Sequence, residues 1–340
     1  MKKTTNDFSY YITRYFTIHL PQERNFSENT IASYRDVFKG LILFFKTEKG
    51  ISPNSIQIDM LTPELIQEYL NYLSSKGNAI STQNQRLAVL KGFMKYLQLS
   101  DPQYLFLTKQ ALGMTAKKSI TAVISFATPD GISALLSKPN QMTVNGFRDL
   151  LLLTLLYDSA ARVSEIIKVK IGEIRTKEPC SVLLHGKGKK KRYVPLSSKT
   201  GELLRYYLKH NSLDDEKSSC QLLFTNNRGE QLTRAGVTYI LKKYIDMVRA
   251  ETPELIPEPF SPHCLRHSKA MHLLKSGVPL IYIRDFLGHS QIATTEVYAK
   301  ADSAGKRLAL EQAYSFMAPN QTILAKRKDD DILSWLNKLC

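Results

Sequence analysis

Four short segments of the 340-residue chain set polar and charged residues beside runs that read as buried helices: SAARVSEI (159–166), HGKGKKKR (185–192), SPHCLRHSKA (261–270) and LGHSQIATTEVY (287–298). Arg162 comes directly after the apolar run LLLLTLLY. A guanidinium buried there without an anion costs on the order of several kcal/mol, and Glu165 is the candidate partner. His263 and Arg266 stand at i and i+3 after Ser261-Pro262, where a helix is expected to start. Both then project from one face near the positive end of the helix dipole, a placement that suits a phosphate. In GKGKKKR the glycines allow flexibility and the like charges repel one another unless an anion is close. That tract is either a solvated charge run or a hairpin tip from which one lysine reaches a phosphate. His289 and Tyr298 lie nine residues apart. The run Ser290 to Glu296 between them is small and polar, which predicts a carrier for the tyrosine rather than a piece of core.

The elements that must position these residues are mostly helices. From residue 8 to about 110 the segments FSYYITRYFTIHL, SENTIASYRDVFKGLILFFKTE, TPELIQEYLNYLSS and ISTQNQRLAVLKGFMKYLQ each begin at or near Ser or Thr, and Thr62-Pro63-Glu64 supplies an N-cap followed by proline at the first helical position. Apolar residues recur at three- and four-residue spacing, as in Ile31, Tyr34, Val37, Phe38, Leu41 and Phe45, so four helices bury one stripe each. Arg35, Lys39, Gln83, Asn84, Arg86 and Lys91 fall on the opposite, solvated faces. Such faces are either simply basic or fit a DNA major groove. Residues 113–127 read as a connector, with a helix starting near Thr128-Pro129-Asp130. GFRDLLLLTLLYDSA is a helix apolar enough to require burial, and CSVLLHGKGKKKRYVPL reads as two strands joined by a tight turn. Helices at GELLRYYLKH, LTRAGVTYILKKYIDMVRA (with Arg234 near its start), CLRHSKAMHLLKSG and PLIYIRDFLGH follow. The predicted fold class is mainly α with one small antiparallel β-sheet, in two domains.

Composition narrows the partner. Lys plus Arg number 47 against 31 Asp plus Glu, a formal net charge of +16, so the surface carries a positive field reaching about 8 Å, roughly a Debye length. A polyanion is implied. No apolar run of about 20 residues could span a bilayer, which leaves nucleic acid ahead of a membrane surface or an acidic protein. The N-terminus lacks the apolar core and cleavage site of a secretory signal, so a cytoplasmic location is expected. Cys180, Cys220, Cys264 and Cys340 are widely spaced with no CxxC pair, which disfavours a zinc cluster or a disulfide framework.

Taken in order, Arg, Lys, His-x-x-Arg, His and Tyr at these separations resemble the tyrosine recombinase (phage integrase) family, and its Xer-type members most closely. The family's first motif reads approximately TGLRxSEL, here SAARVSEI. Its hairpin reads GKGxKxRxVPL, here GKGKKKRYVPL. The next reads SPHxLRHxxAxxLLxxG, here SPHCLRHSKAMHLLKSG, and the last, LGHSxxxTTxxYxH, is matched through the tyrosine by LGHSQIATTEVYAK. The resemblance runs over nearly the whole chain and is strongest from 150 to 300. Three positions depart from it: Ala160 replaces the usual glycine, Lys269 stands where an aromatic is common, and Lys300 follows the tyrosine where a second histidine often appears. All are peripheral and bear on efficiency or loop geometry rather than on the reaction.

The resemblance implies an N-terminal four-helix, SAM-like core-binding domain at 1–112, a linker at 113–127 and a catalytic domain at 128–317, the two domains forming a C-shaped DNA clamp. It implies a site-specific recombinase that cleaves and rejoins DNA through a 3′-phosphotyrosyl link and a Holliday junction. In that scheme Tyr298 is the nucleophile, Arg162 and Arg266 stabilise the charged transition state, and His263 takes the phenolic proton. Lys187 is the general acid, His289 hydrogen-bonds the transferring phosphoryl group, and Glu165 orients Arg162 or His263. Lys189, Lys190 and Lys191 are expected on the DNA backbone, joined by Arg234 and the basic N-terminal faces. No metal, ATP or other cofactor is called for. The implied partner is double-stranded DNA bearing inverted repeats around a short spacer, bound by a homotetramer that is a monomer or weak oligomer when free. In the tail at 318–340, an amphipathic segment presents Ile332, Leu333, Trp335, Leu336 and Leu339. It either packs on its own domain or docks on a neighbouring protomer. Two rival classes stand beside this one. A DNA-binding protein without catalysis would not need Tyr298, His289 and Lys187 together, and a type IB topoisomerase would lack the Xer-like N-terminal helices.

Overall fold

The structure, a computed structural model, describes residues 7–118, 124–186, 190–289 and 291–302. The chain divides into two compact units, Met1–Thr121 and Ala122–Cys340.

In the first unit, α1 (Asp7–Arg14) widens into a π-helical run over Tyr15–Glu23 that contains Pro21, followed by α2 (Glu28–Glu48), α3 (Pro63–Ser75) and α4 (Ile80–Ser100). The expected caps form: Ser27 Oγ accepts from the Thr30 N–H at 3.4 Å and Thr62 Oγ1 from the Leu65 N–H at 3.3 Å. α4 has Ala79 at its N-cap instead, with no side-chain cap. Val37, Phe38, Leu41 and Phe45 of the predicted α2 stripe are buried, with Ile31 and Tyr34 packed at its edge. At the centre lies Phe93, whose ring centroid is 5.1 Å from those of both Phe38 and Tyr15, each pair edge-to-face. This geometry suits the ring quadrupole. Asp7 ties the chain's start to the rest, accepting from the Tyr104 hydroxyl at 2.7 Å and the Ile58 N–H at 3.1 Å.

Two features differ from the sequence reading. A further helix, α5 (Leu105–Gly113), follows a turn capped by Asp101. Of its residues only Thr108 and Ala111 are buried, and Leu105 and Phe106 are 53% and 74% exposed, so no apolar stripe announces it. The polar side of α4 does not face solvent as expected. Gln83 is 2% exposed, donating to the Asn78 carbonyl and accepting from Lys117 Nζ, both at 2.9 Å. Asn84 donates to the Lys117 carbonyl and accepts from its N–H, and Lys91 donates to the Met114 carbonyl. Extended chain at 114–118 has backbone groups that need partners, and α4 supplies them. Arg86 buries an Nε that has no partner among the described residues. Arg35 and Lys39 on α2 do remain exposed.

The second unit opens with α6 (Pro129–Ser137), capped as expected by Thr128, and α7 (Val144–Asp158), buried along most of its length. After α8 (Val163–Ile166) comes a three-stranded antiparallel sheet of β1 (Ile174–Arg175), β2 (Ser181–His185) and β3 (Lys191–Pro195), in register at Ile174↔Val182 and Leu183↔Tyr193. β2 and β3 are the predicted hairpin. β1, two residues long, is too short to show a pattern. α9 (Ser198–His210), α10 (Arg234–Glu251), α11 (Pro262–Lys275), α12 (Leu280–Leu287) and α13 (Ala293–Ala301) complete it, with Arg234 exposed at the start of α10. The main core gathers α7, the sheet and α10. A smaller cluster holds Ala160, Ala270, Met271, Ile283, Leu287 and Tyr298. Asp158, at the end of α7, accepts from the Ser197 N–H and the Thr200 hydroxyl at 2.8 Å and from Lys269 Nζ at 3.0 Å. The unusual lysine thus has a buried carboxylate to pair with. Cys180, Cys220 and Cys264 are free thiols, while Cys340 and the 318–340 tail lie outside the described residues.

Phe93→Ala removes the ring that four aromatic neighbours pack against; it should lower the stability of the first unit by about 3–5 kcal/mol, read as a shifted urea midpoint with an unchanged helical spectrum.

Candidate active site

α7 ends at a turn in which Ala160 adopts φ = 45°, left-handed backbone that costs a residue with a Cβ roughly 1–2 kcal/mol. The family's usual glycine would sit there unstrained. The turn aims the Ala160 carbonyl at Arg266 and sets Arg162 at the N-cap of α8. From α8, Glu165 turns back. Its carboxylate accepts from the Arg162 N–H at 2.9 Å and Arg162 Nη1 at 3.0 Å, and receives Arg192 bidentately at 3.0 and 2.9 Å. Burial alone would raise this carboxyl. The hydrogen bonds from Arg192 and the Arg162 backbone, with both charges, outweigh that and hold it below the usual carboxylate range.

Arg266 is 1% exposed, donating from Nη1 to the Ala160 carbonyl at 2.7 Å and from Nη2 to that of Leu287 at 2.6 Å, while its Nε has no partner among the described residues. Burial, reinforced by the Arg162 charge, pushes its guanidinium down to about 10, so it stays cationic at neutral pH. His263 sits at the exposed first turn of α11, and partial desolvation with the Arg266 and Arg162 charges lowers its pKa. One turn on, His267 stacks edge-on against His263, with centroids 4.3 Å apart. It is His267, not His263, that reaches the nucleophile candidate: its Nδ1 lies 2.9 Å from the Tyr298 hydroxyl.

Tyr298 corrects the expectation for its segment. The ring is 1% exposed and Thr295 is fully buried, so α13 packs its tyrosine into the cluster of Ala160, Ala270, Met271, Ile283 and Leu287. The apolar partners come from α11, α12 and the α7–α8 turn rather than from the polar run itself. Burial raises the phenol's pKa, and the Arg266 and Arg162 charges pull the other way without cancelling it.

Gly288 ends α12 at φ = 67°, and a Cβ there would lie 3.0 Å from the Arg192 guanidinium, so both conformation and space call for glycine. His289 follows, with Nδ1 3.0 Å from Thr295 Oγ1. Burial, then the Arg266 and Arg162 charges, lower its pKa to about 4, leaving a neutral ring at pH 7. Arg162, Lys190, Lys191, Arg192, His289 and Thr294, with Asp285, line a cavity of about 380 Å³, a basic recess suited to an oxyanion. Arg162, Glu165, Arg266, His289 and Tyr298 therefore converge as expected. Glu165 is hydrogen-bonded to Arg162, and its second partner is Arg192 rather than His263. Lys187 and Lys189 lie outside the described residues.

Residues 125–304 match the phage integrase family, and residues 13–100 match the phage integrase N-terminal SAM-like domain. The chain belongs to the phage integrase family of tyrosine recombinases. The recombinase is 30% identical over 326 residues to the putative integrase/recombinase y4rC of Sinorhizobium fredii, covering 96% of each chain. It is 31% identical to the tyrosine recombinase XerC of Pelotomaculum thermopropionicum, over 86% of this chain and 94% of that one. Among solved structures, its fold resembles the XerH site-specific recombinase bound to difH substrate (TM-score 0.64, 23% identity, 87% of this chain and 81% of that one). It also resembles the Tn1549 transposon integrase in complex with circular intermediate DNA (TM-score 0.68, 17% identity, 88% and 99%). The helical fold with its small sheet and the site-specific recombinase activity follow from this membership.

Two residues of the recombinase's site were not singled out from sequence, Arg192 and His267. Both stand inside the quoted motifs, as the arginine of GKGKKKRYVPL and the second histidine of SPHCLRHSKA, so the signal was present but carried no geometry. Glu165→Ala would strand two guanidiniums and should cost about 3–5 kcal/mol at pH 7. Because the carboxyl titrates lower in the fold, its contribution is fully present above the unfolded value of about 4.3 and is lost as pH falls through the folded one. Urea melts at pH 7 and pH 3 should show the wild-type advantage over Glu165→Ala shrinking at the acid end.

Proposed function

We propose that Tyr298 attacks a DNA phosphodiester to form a 3′-phosphotyrosyl link and free a 5′-hydroxyl, and that a second strand's 5′-hydroxyl then displaces the tyrosine. The observation that carries this reading is that Arg162 and Arg266, more than a hundred residues apart in sequence, stand close enough for their charges to act on the Tyr298 hydroxyl. A pentacoordinate phosphorane gathers negative charge on its non-bridging oxygens, and fixed guanidiniums stabilise that charge better than water does. The unpartnered Arg266 Nε and the basic recess beside Arg162 are what such oxygens require. His263, at the N-terminus of α11, adds a donor to the same phosphate. His289, whose Nδ1 is held by Thr295, offers Nε2 to the phosphoryl group. Lys187 protonates the departing 5′-oxygen, and Lys190, Lys191, Arg35, Lys39 and Arg234 bind the DNA backbone. Arginines take the charge role that divalent ions play in other phosphoryl transfers.

The substrate is duplex DNA with inverted repeats around a spacer, bound by four copies across two sites, in the cytoplasm. The basic balance of the chain favours such a partner. No helix among the described residues is long and apolar enough to cross a membrane. Relatives that are recombinases in their own right favour integration, excision, transposition or dimer resolution over relaxation by a topoisomerase.

With nicked duplex DNA taken from the flanks of its gene, Tyr298→Phe should bind with wild-type affinity and give no adduct that survives denaturation; an adduct in that variant removes the nucleophile assignment. Lys187→Ala should cut the normal substrate roughly 10²–10⁴-fold more slowly and recover on a 5′-phosphorothiolate, whose sulfur leaves without a proton. Equal loss on both substrates would contradict the acid role.

A further inference from the structure

The end of α7 and the turn after it are joined to α11 by three hydrogen bonds that run as antiparallel rungs. Tyr157 meets His272, Asp158 meets Lys269, and the Ala160 carbonyl meets Arg266, at 2.8, 3.0 and 2.7 Å. On α11 the three partners stand three residues apart, so they share one face of the helix. Only the Arg266 rung belongs to the phosphate site described above. The middle rung is an ion pair.

Asp158 and Lys269 are both largely buried. One carboxylate oxygen, Oδ2, accepts from the Ser197 N–H and the Thr200 hydroxyl, at the corner where β3 gives way to α9. The other, Oδ1, accepts from Lys269 Nζ, which also lies 5.1 Å over the Tyr157 ring. Burial alone would raise this carboxyl; the Ser197 N–H and the Lys269 charge outweigh it and hold it below the usual carboxylate range. Such a pair adds little stability over well-packed apolar side chains of the same volume. Its effect here is on geometry. Two residues beyond Asp158, Ala160 is held at φ = 45°, a conformation that persists only where the surroundings over-determine it. That residue's carbonyl carries Arg266, and Arg162 follows two residues later.

We propose that Lys269 and Asp158 are a positioning pair for the two site arginines. The ion pair fixes the last turn of α7 against α11 and against the β3–α9 corner, and so sets both the carbonyl that holds Arg266 and the turn that launches Arg162. This rests on the reading of Arg162 and Arg266 as holders of the reacting phosphate. Neither Lys269 nor Asp158 is among the described residues that line the recess, so the pair acts through the arginines and not by touching DNA.

The test is single-turnover adduct formation at saturating nicked duplex, alongside DNA affinity and urea melts, for wild type, Lys269→Met, Asp158→Asn, the double variant and Lys269→Arg, each assayed at a temperature where its melt shows it folded. Methionine keeps much of the side chain's length and loses its charge; asparagine keeps an oxygen acceptor and loses the anion. The double variant leaves no unpaired charge and carries the test where a single one does not fold. The charge-free variants should bind DNA about as wild type does and form adduct about tenfold or more slowly. The double variant should be no slower than the worse single one, and Lys269→Arg should recover most of the rate. On a duplex with a methylphosphonate at the scissile position, the transition state carries one negative charge fewer and depends less on the arginines, so these deficits should shrink, as that of Arg266→Ala should. Wild-type rates at saturating DNA in the folded charge-free variants would overturn the proposal. So would deficits that multiply in the double variant, or that are equally large on both duplexes. An Arg266→Ala variant with the wild-type rate on the ordinary phosphate would instead overturn the reading of the arginines beneath it.

Discussion

One carboxylate sets the electrostatics of the site. Glu165 binds Arg162 on one side and Arg192 on the other, and Arg192 in turn donates to the Phe286 carbonyl and lies against Gly288. The start of α8, the strand β3 and the end of α12 are therefore fixed to a single anion. Arg266 stands close enough to feel all of them, and without Glu165 three guanidiniums would repel one another with no anion between them. One negative charge among three positive ones still leaves an excess. That excess gives the recess a positive field suited to an anion, built from groups already held in place by their hydrogen bonds.

Polar side chains play a different part in the first unit. Gln83, Asn84 and Lys91 satisfy the backbone of the chain as it leaves α4 and α5, so their chemistry is used internally. Arg35 and Lys39 on α2 are left to solvent instead, among other exposed basic side chains of the unit such as Lys95 on α4 and Lys109 on α5. A reading of amino-acid type alone cannot separate these two uses, because an amide that reads a base edge and an amide that caps a neighbouring carbonyl are the same group.

The parts legible in the sequence were those with local causes. Ser27, Thr62 and Thr128 cap helices because their side-chain oxygens reach orphan N–H groups three residues on, and the α2 stripe is buried because its spacing puts it on one face. The residues that gather near Tyr298 were marked in the sequence by their motifs, although the motifs carried no geometry. What escaped depends on distant partners. α5 has no stripe and is held by its capped turn and by α4. Gln83 is buried by a segment more than thirty residues away. The Tyr298 ring is packed by residues from three other elements, so a polar neighbourhood in sequence said nothing of its neighbourhood in space. His267 stood in plain view beside Arg266, but only its 2.9 Å approach to Tyr298 Oη distinguishes it from a histidine that merely packs.

The burial of Tyr298 also bears on the time before any substrate is met. A phenol 1% exposed, roofed by methionine and aliphatic side chains, is hidden from oxidants, nitrating agents and modifying enzymes that scan a protein's surface. The hydroxyl proposed as the nucleophile is thereby kept off the surface. Solvent access to that oxygen is thus controlled by packing, while its reactivity is set by the charges around it.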